Sequence, residues 1–414
     1  MNSPKSPSTG LAGRPPVGPD TVSAARPESA AAVAEAKSVR PVRTAVIGCG
    51  NFARRQHLPN LVSMPGAVLC AVCDVNPDTA RAAAEAFGVE TATSQLERLL
   101  ADQSIDVVVA AVPDEHQASV ARAAMEAGKH VYLEKPGGVS STEFHSLIKA
   151  RDCGNSRVAV GFNKRFAPAY AAAVRIIRAD GGPRNLLLRM SDDAWRWAAH
   201  LPSGALLGHD ACHLFDLGAW LTCSRALKVY AAAARADDYS FIIRFEDGTV
   251  ATVLLSGHAT MDFPKERLEA ITERGSVVVD DFVELNAFGY GDKTAPRLTF
   301  AGRTSRRADE PWVERLGDRG LAGMVDVRRA LWSIHSKRGE RGQDRSFAEV
   351  LPNFLRDQGW YESLRAFIQC VGKEQVPPNA TLEDAHRAFL VAEAARRSLA
   401  SGQAETVDDD GLTH

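Results

Sequence analysis

Val42-Arg43-Thr44-Ala45-Val46-Ile47-Gly48-Cys49-Gly50-Asn51-Phe52-Ala53 is the stretch from which the fold of this chain is read. Six residues rich in β-branched side chains predict a strand. They run straight into Gly48-x-Gly50-x-x-Ala53, and a helix toward Met64 is expected after it. Small residues in that spacing have separate jobs. Gly48 permits a tight turn, Gly50 lets backbone approach a pyrophosphate, and Ala53 allows close packing of helix on strand. A helix that opens there offers N–H groups and a positive dipole end to phosphates. Gly48, Gly50, Asn51, Phe52 and Ala53 are therefore candidate contacts to a dinucleotide.

The second expected strand, Ala67 to Cys73, ends in Asp74. An acid there suits the adenosine ribose hydroxyls and repels a 2′-phosphate, which favours NAD over NADP. The competing reading of Asp74 is a cap for the helical segment that starts at Pro77. Strand and helix continue to alternate. Ile105–Val112 is a continuous apolar strand that ends beside Pro113, and Ala118–Ala127 is a helix closed by Gly128. Val131-Tyr132-Leu133 is a further buried strand, cut short by Glu134-Lys135-Pro136. A proline has no N–H for the ladder, so Glu134 and Lys135 fall at the carboxyl edge, where open α/β sheets bind ligands. Val112, Pro113, Glu134 and Lys135 join the candidate cofactor contacts. A helix Thr142–Arg151 and a strand Val158–Gly161 complete a doubly wound parallel sheet over 41–162.

Beyond Gly161 strands follow one another without crossover helices: Asn185–Met190, Leu227–Ala234, Tyr239–Phe245, Thr249–Leu255, Arg267–Thr272 and Ser276–Asp280. Glu246-Asp247-Gly248 is a hairpin signal. This pattern predicts a large, mostly antiparallel sheet in a second α+β domain over 163–400, interrupted by a helix from His209 to Thr222. Helices Trp360–Val371 and Leu382–Leu399 close it. Residues 1–40 are rich in Pro, Ser, Ala and Gly and read as a disordered tail. Residues 300–356 read as an irregular insertion and 401–414 as a frayed, acidic end.

Composition narrows the function. The chain has 414 residues, room for two or three domains, and a formal net charge of -2. That balance supplies no field to gather nucleic acid or anionic membrane. No apolar run approaches the roughly 18–20 residues that span a bilayer. The N-terminus lacks a signal-peptide pattern, so the cytoplasm is the expected compartment. Seven cysteines are scattered and odd in number, which is no disulfide framework. Cys70 and Cys73 have the spacing of half a zinc site, but they fall in a strand, facing opposite sides, and no metal is expected.

Gly48-x-Gly50-x-x-Ala53, Glu134-Lys135-Pro136 and Asp210-Ala211-Cys212-His213-Leu214-Phe215-Asp216 stand in this order. Together they resemble the Gfo/Idh/MocA oxidoreductases, the glucose–fructose oxidoreductase and inositol dehydrogenase family, over about 42–290 and again over about 357–400. Gly161-Phe162-Asn163-Lys164-Arg165-Phe166 and Pro264-Lys265-Glu266-Arg267-Leu268-Glu269 resemble its branch in bacterial sugar and polysaccharide metabolism. The resemblance implies an oxidoreductase that interconverts an alcohol and a ketone on a sugar, nucleotide sugar, inositol or amino-cyclitol. It implies NAD as cofactor and a dimer or tetramer built on the second sheet. Lys135 matches the family's lysine that stabilises the reacting oxygen. His213 matches the histidine that exchanges the hydroxyl proton, a task suited to a group titrating near neutrality. Glu134 is expected beside the cofactor's ribose or nicotinamide.

Two positions depart from that pattern. The family's acid stands four residues before the histidine. Here that position is His209, and the acid is Asp210, so either can face the substrate. Where the family has a histidine after the fourth strand, this chain has Gln117, preceded by His116. Arg165, Lys164, Trp195, Arg196 and Trp197 are candidates to line a polyol pocket. Two rival readings remain: a related enzyme that uses NAD transiently to cleave glycosidic bonds, and a non-catalytic NAD-binding regulator.

Overall fold

The computed structural model describes residues 40–194, 198, 200–260, 262–290, 297–299, 319–326, 329 and 357–408. All but residue 40 of the tail expected over 1–40, and most of the insertion expected over 300–356, lie outside them, as do Trp195, Arg196 and Trp197.

The first sheet is wholly parallel. It holds β1 (Val42–Ile47), β2 (Ala67–Cys73), β3 (Thr91–Thr93), β4 (Val107–Ala110), β5 (His130–Leu133) and β6 (Val158–Val160), in the order β3-β2-β1-β4-β5-β6. Ala45, Val46, Val107, Val108, Val109, Val131, Tyr132 and Leu133 are essentially inaccessible, as expected of strands with helices on both faces. The order reverses between β1 and β4, which opens a crevice at their carboxyl ends.

The second sheet has nine strands among the described residues. They are β7 (Asn185–Ser191), β8 (Ala226–Arg235), β9 (Asp238–Phe245), β10 (Val250–Ser256), β11 (Glu266–Ile271), β12 (Ser276–Asp280), β13 (Glu284–Phe288), β14 (Arg297–Thr299) and β15 (Glu405–Thr406). Their order is β14-β13-β12-β11-β7-β10-β9-β8-β15. Burial alternates along β9 and β10. The inner face packs on the helices Pro168–Ala179, Ala211–Thr222 and Leu382–Ser401. All pairs are antiparallel but one: β7 and β10 run parallel, because a helix and the β8–β9 hairpin intervene between them.

Three expectations change. The helix Trp360–Gly372 belongs in space with the first domain, so 163–400 is no single block. Leu364, Phe367 and Ile368 pack with Val46, Val107 and Val109, and the Tyr132 hydroxyl lies 2.9 Å from Ser363 Oγ. The end of the chain is no free tail as far as residue 408, since Glu405 and Thr406 pair with Val229 and Lys228 of β8. The helix expected over His209–Thr222 is two helices, Leu206–His209 and Ala211–Thr222, broken at Asp210. No helix among the described residues is long and apolar enough to cross a membrane.

Candidate active site

At the crevice, the loop after β1 is shaped by glycine. Gly48 has a φ of +89°, and a Cβ there would fall 2.3 Å from the Ala111 carbonyl oxygen. At Gly50 the space a side chain would fill is open to 4 Å, so the backbone is bare toward the crevice. Ala53 is buried, while Asn51 and Phe52 are exposed beside the opening. The helix after the loop is short, Asn51–Arg55, and restarts at His57.

Asp74 faces this loop. One carboxylate oxygen accepts the Cys49 N–H at 2.8 Å and the other the Asn76 N–H at 2.9 Å. The helix that begins at Pro77 is capped by Asn76, whose side chain accepts from Asp78 and Thr79. The capping alternative for Asp74 therefore falls away. Arg54 braces the loop from behind, donating to the Cys49 and Thr79 carbonyls at 3.0 Å each. An open backbone at Gly50, an acid at the end of β2, and half-buried Val112 and exposed Pro113 after β4 fit a dinucleotide lying across the crevice.

On the far side of the crevice, β5 ends in the turn Glu134-Lys135-Pro136, whose Lys135–Pro136 bond is cis. Glu134 is buried. One of its oxygens is 2.8 Å from His57 Nε2, and the other accepts the Lys135 N–H at 3.2 Å. Buried Gln117 clamps the same turn. Its amide nitrogen donates to the Lys135 carbonyl at 3.0 Å, and its oxygen accepts the Gly137 N–H at 2.9 Å. His116, its neighbour, is exposed. The Lys135 ammonium points out of this scaffold toward the second domain. It donates to the His209 carbonyl at 2.9 Å and lies 3.7 Å from Asp210 Oδ1. The acid beside the lysine is thus Asp210, while the His209 ring is held 2.8 Å from Asp114 Oδ2.

His213 sits one turn into its helix, buried, with the edge of Phe162 against its ring at 5.7 Å between centroids. Its Nδ1 is buried without a hydrogen-bond partner among the described residues. Burial, and then the charges of Lys164, Lys135 and Lys265, push its pKa well below the usual imidazole value. The sequence reading relied on the unperturbed imidazole value, near neutrality; burial and these lysines shift the balance further toward the neutral form.

Lys164 and Lys265 are themselves paired. Lys164 Nζ is 2.6 Å from Glu266, which also accepts from the Tyr170 hydroxyl at 3.1 Å, and Lys265 Nζ is 2.5 Å from Asp192. Glu266 had a visible signal: it shares the inward face of β11 with Leu268 and Ala270, so a buried carboxylate required a cation. Asp114 and Gln117 had one too, since they follow β4 at the edge where such sheets bind ligands. Arg165 does not line the cleft. Its guanidinium grips Asp216 at 2.9 and 2.5 Å and Asp384 at 3.2 Å, tying two helices together.

Comparison with known proteins agrees with this geometry. Residues 42–162 match the model of an oxidoreductase family with an NAD-binding Rossmann fold, and residues 172–278 match the Gfo/Idh/MocA C-terminal domain. Inositol 2-dehydrogenase 2 of Saccharopolyspora erythraea is 30% identical over 249 residues, 59% of this chain and 67% of that protein. The chain belongs to the Gfo/Idh/MocA oxidoreductase family. A more distant member, the myo-inositol 2-dehydrogenase of Thermotoga maritima, is 25% identical over 86% of this chain and 96% of its own. Among solved Gfo/Idh/MocA structures, levoglucosan dehydrogenase in complex with NADH and L-sorbose superposes with a TM-score of 0.68. It shares 22% identity over 89% of this chain and the whole of that one, a likeness of fold. As a Gfo/Idh/MocA member the chain is a nicotinamide-dependent oxidoreductase acting on CH–OH groups, and its first domain binds NAD.

Proposed function

We propose that this enzyme interconverts one secondary alcohol and the corresponding ketone on a cyclitol or sugar, with Lys135, His213 and Asp210 as its catalytic residues. The observation that carries the reading is the Lys135 ammonium, just past the carboxyl end of β5, reaching the His209 carbonyl and lying 3.7 Å from Asp210, three residues before buried His213. NAD, when bound, supplies the two-electron acceptor for the carbinol carbon. His213 takes the hydroxyl proton on its imidazole. Lys135 holds the oxygen and stabilises the charge that develops on it. Asp210 balances the ammonium at 3.7 Å. The inositol dehydrogenases among its relatives support a polyhydroxylated ring as substrate.

The outer face of the second sheet supports a homo-oligomer. Tyr230, Ile242, Thr252 and Leu187 lie in register across β8, β9, β10 and β7, and the three large apolar ones are more than a third exposed. Free thiols throughout fit a cytoplasmic home.

The test is direct. NAD and NADP are titrated by calorimetry, and cyclitols, sugars and nucleotide sugars are screened for reduced-nicotinamide absorbance. Lys135→Ala should lower kcat by about 10²–10³-fold and leave NAD binding within a few-fold. NAD binding with no turnover on any of these compounds sinks the dehydrogenase reading. It would then favour transient redox at a glycosidic bond or a regulatory role.

A further inference from the structure

Four residues around the crevice close a ring of hydrogen bonds through side chains and two backbone carbonyls. The Lys135 ammonium donates to the His209 carbonyl at 2.9 Å. The His209 ring nitrogen Nδ1 lies 2.8 Å from Asp114 Oδ2. Asp114 Oδ1 is 3.3 Å from the Gln117 amide nitrogen, and that nitrogen donates back to the Lys135 carbonyl at 3.0 Å. The ring crosses the domains. Lys135, Asp114 and Gln117 follow β5 and β4 of the first sheet, while His209 ends the short helix Leu206–His209 of the second domain.

We propose that His209, Asp114 and Gln117 are positioning residues that fix the Lys135 ammonium for the reaction. The proposal rests on Lys135 being the group that holds the reacting oxygen.

The physical case is one of constraint. An ammonium on four methylenes loses much rotamer freedom when it is fixed, so an acceptor that itself drifts does not hold it. The acceptor here is the last carbonyl of a helix of four residues, directly before the break at Asp210. Such a helix has no stability of its own. The His209 side chain anchors it by reaching Asp114 at the start of the helix Asp114–Glu126. Gln117, one turn later on that helix, grips both sides of the lysine turn through the Lys135 carbonyl and the Gly137 N–H. Both ends of the Lys135 side chain are therefore referred to one rigid element. Asp114 is poised for this. Burial pushes its carboxyl up, but the His209 hydrogen bond and the charges of His209 and Lys135 outweigh burial and hold it below the usual range. A histidine at position 209 thus has a purpose that an acid there could not serve, because an acid would repel Asp114.

The experiment uses the full chain and two readouts. In the first, a brief pulse of an amine-acetylating reagent is followed by peptide mass spectrometry. Lys129 serves as the internal reference, being buried and bonded to the Asp102 carbonyl away from the ring. In His209→Ala and in Asp114→Asn, Lys135 should acetylate about tenfold faster relative to Lys129 than in the wild type, the size of one charge-assisted hydrogen bond. In the second, each variant should lose about tenfold in kcat on the polyol, with KM changed less than about twofold. The double variant should be no worse than the worse single, because both break the same ring. Equal acceleration of Lys135 and Lys129 would mean general loosening and overturn the proposal. So would unchanged Lys135 labelling, or single effects that add. If no polyol turns over even in the wild type, the labelling still reports the ring, and the failure lies with the dehydrogenase reading.

Discussion

The glycine loop after β1 is built from backbone, whereas the cleft around Lys135 and His213 is built from paired charges. In the loop, the shape comes from one positive φ at Gly48, a bare Gly50 and two N–H groups on Asp74. In the cleft, Lys164 needs Glu266, Lys265 needs Asp192, and His209 needs Asp114. These partners come from strands and helices far apart in sequence. The two regions should therefore fail differently. A change in the loop should cost cofactor binding and little else. A change in the cleft should leave an uncompensated charge in a buried place, and so cost stability and pH tolerance together.

The severest test of that contrast is Lys164→Met. Side chains at Lys164 and Glu266 are 4% and 0% exposed, so removing the ammonium strands a buried carboxylate. A loss of about 3–5 kcal/mol is expected in urea unfolding, most of it recovered when Glu266→Gln is added. A loss below about 1 kcal/mol would place this pair with the weak, surface-like ones and break the comparison. On the loop side, Asp74→Ala should weaken NAD binding about tenfold in calorimetry, near 1.4 kcal/mol, and change kcat less than about twofold. A fall in kcat with unchanged affinity would assign Asp74 to the chemistry instead.

The pH dependence is the most diagnostic test. His213 is held below its unfolded value, near 6.5, by burial and surrounding lysines. As pH falls from about 6.5 toward the lower folded value, the unfolded chain binds a proton that the folded chain refuses. Stability should therefore be full above about pH 6.5 and decline below it, by up to about 1.4 kcal/mol per pH unit. In His213→Gln that part of the decline should vanish. A wild-type profile flat from pH 7 to 5 would mean that neither burial nor the lysines depress this imidazole.

Where the reasoning from sequence succeeded, the signal was local. Strand, glycine loop and helix lie within a dozen residues, and β-branched runs mark buried strands without reference to anything distant. Where it went astray, the deciding partner was far away. Arg165 reads as a polyol fork until Asp216 and Asp384 take both its ends. Helix Trp360–Gly372 reads as part of the second domain because it follows it in the chain. Its apolar face in fact completes the first.

The sequence by itself determined the parallel sheet and its glycine loop. It also determined the alternating face of the second sheet and the presence of Lys135, Asp210 and His213 in the right order. These are short-range facts, set by sterics at Gly48 and by the periods of strand and helix. Only the tertiary structure decided which charge answers which. It gave the Lys135 ammonium the His209 carbonyl, gave His209 to Asp114, and placed His213 where burial, and then nearby lysines, favour its neutral form. A charge in a buried place takes its meaning from its nearest opposite charge, and in this chain those neighbours are commonly more than fifty residues apart.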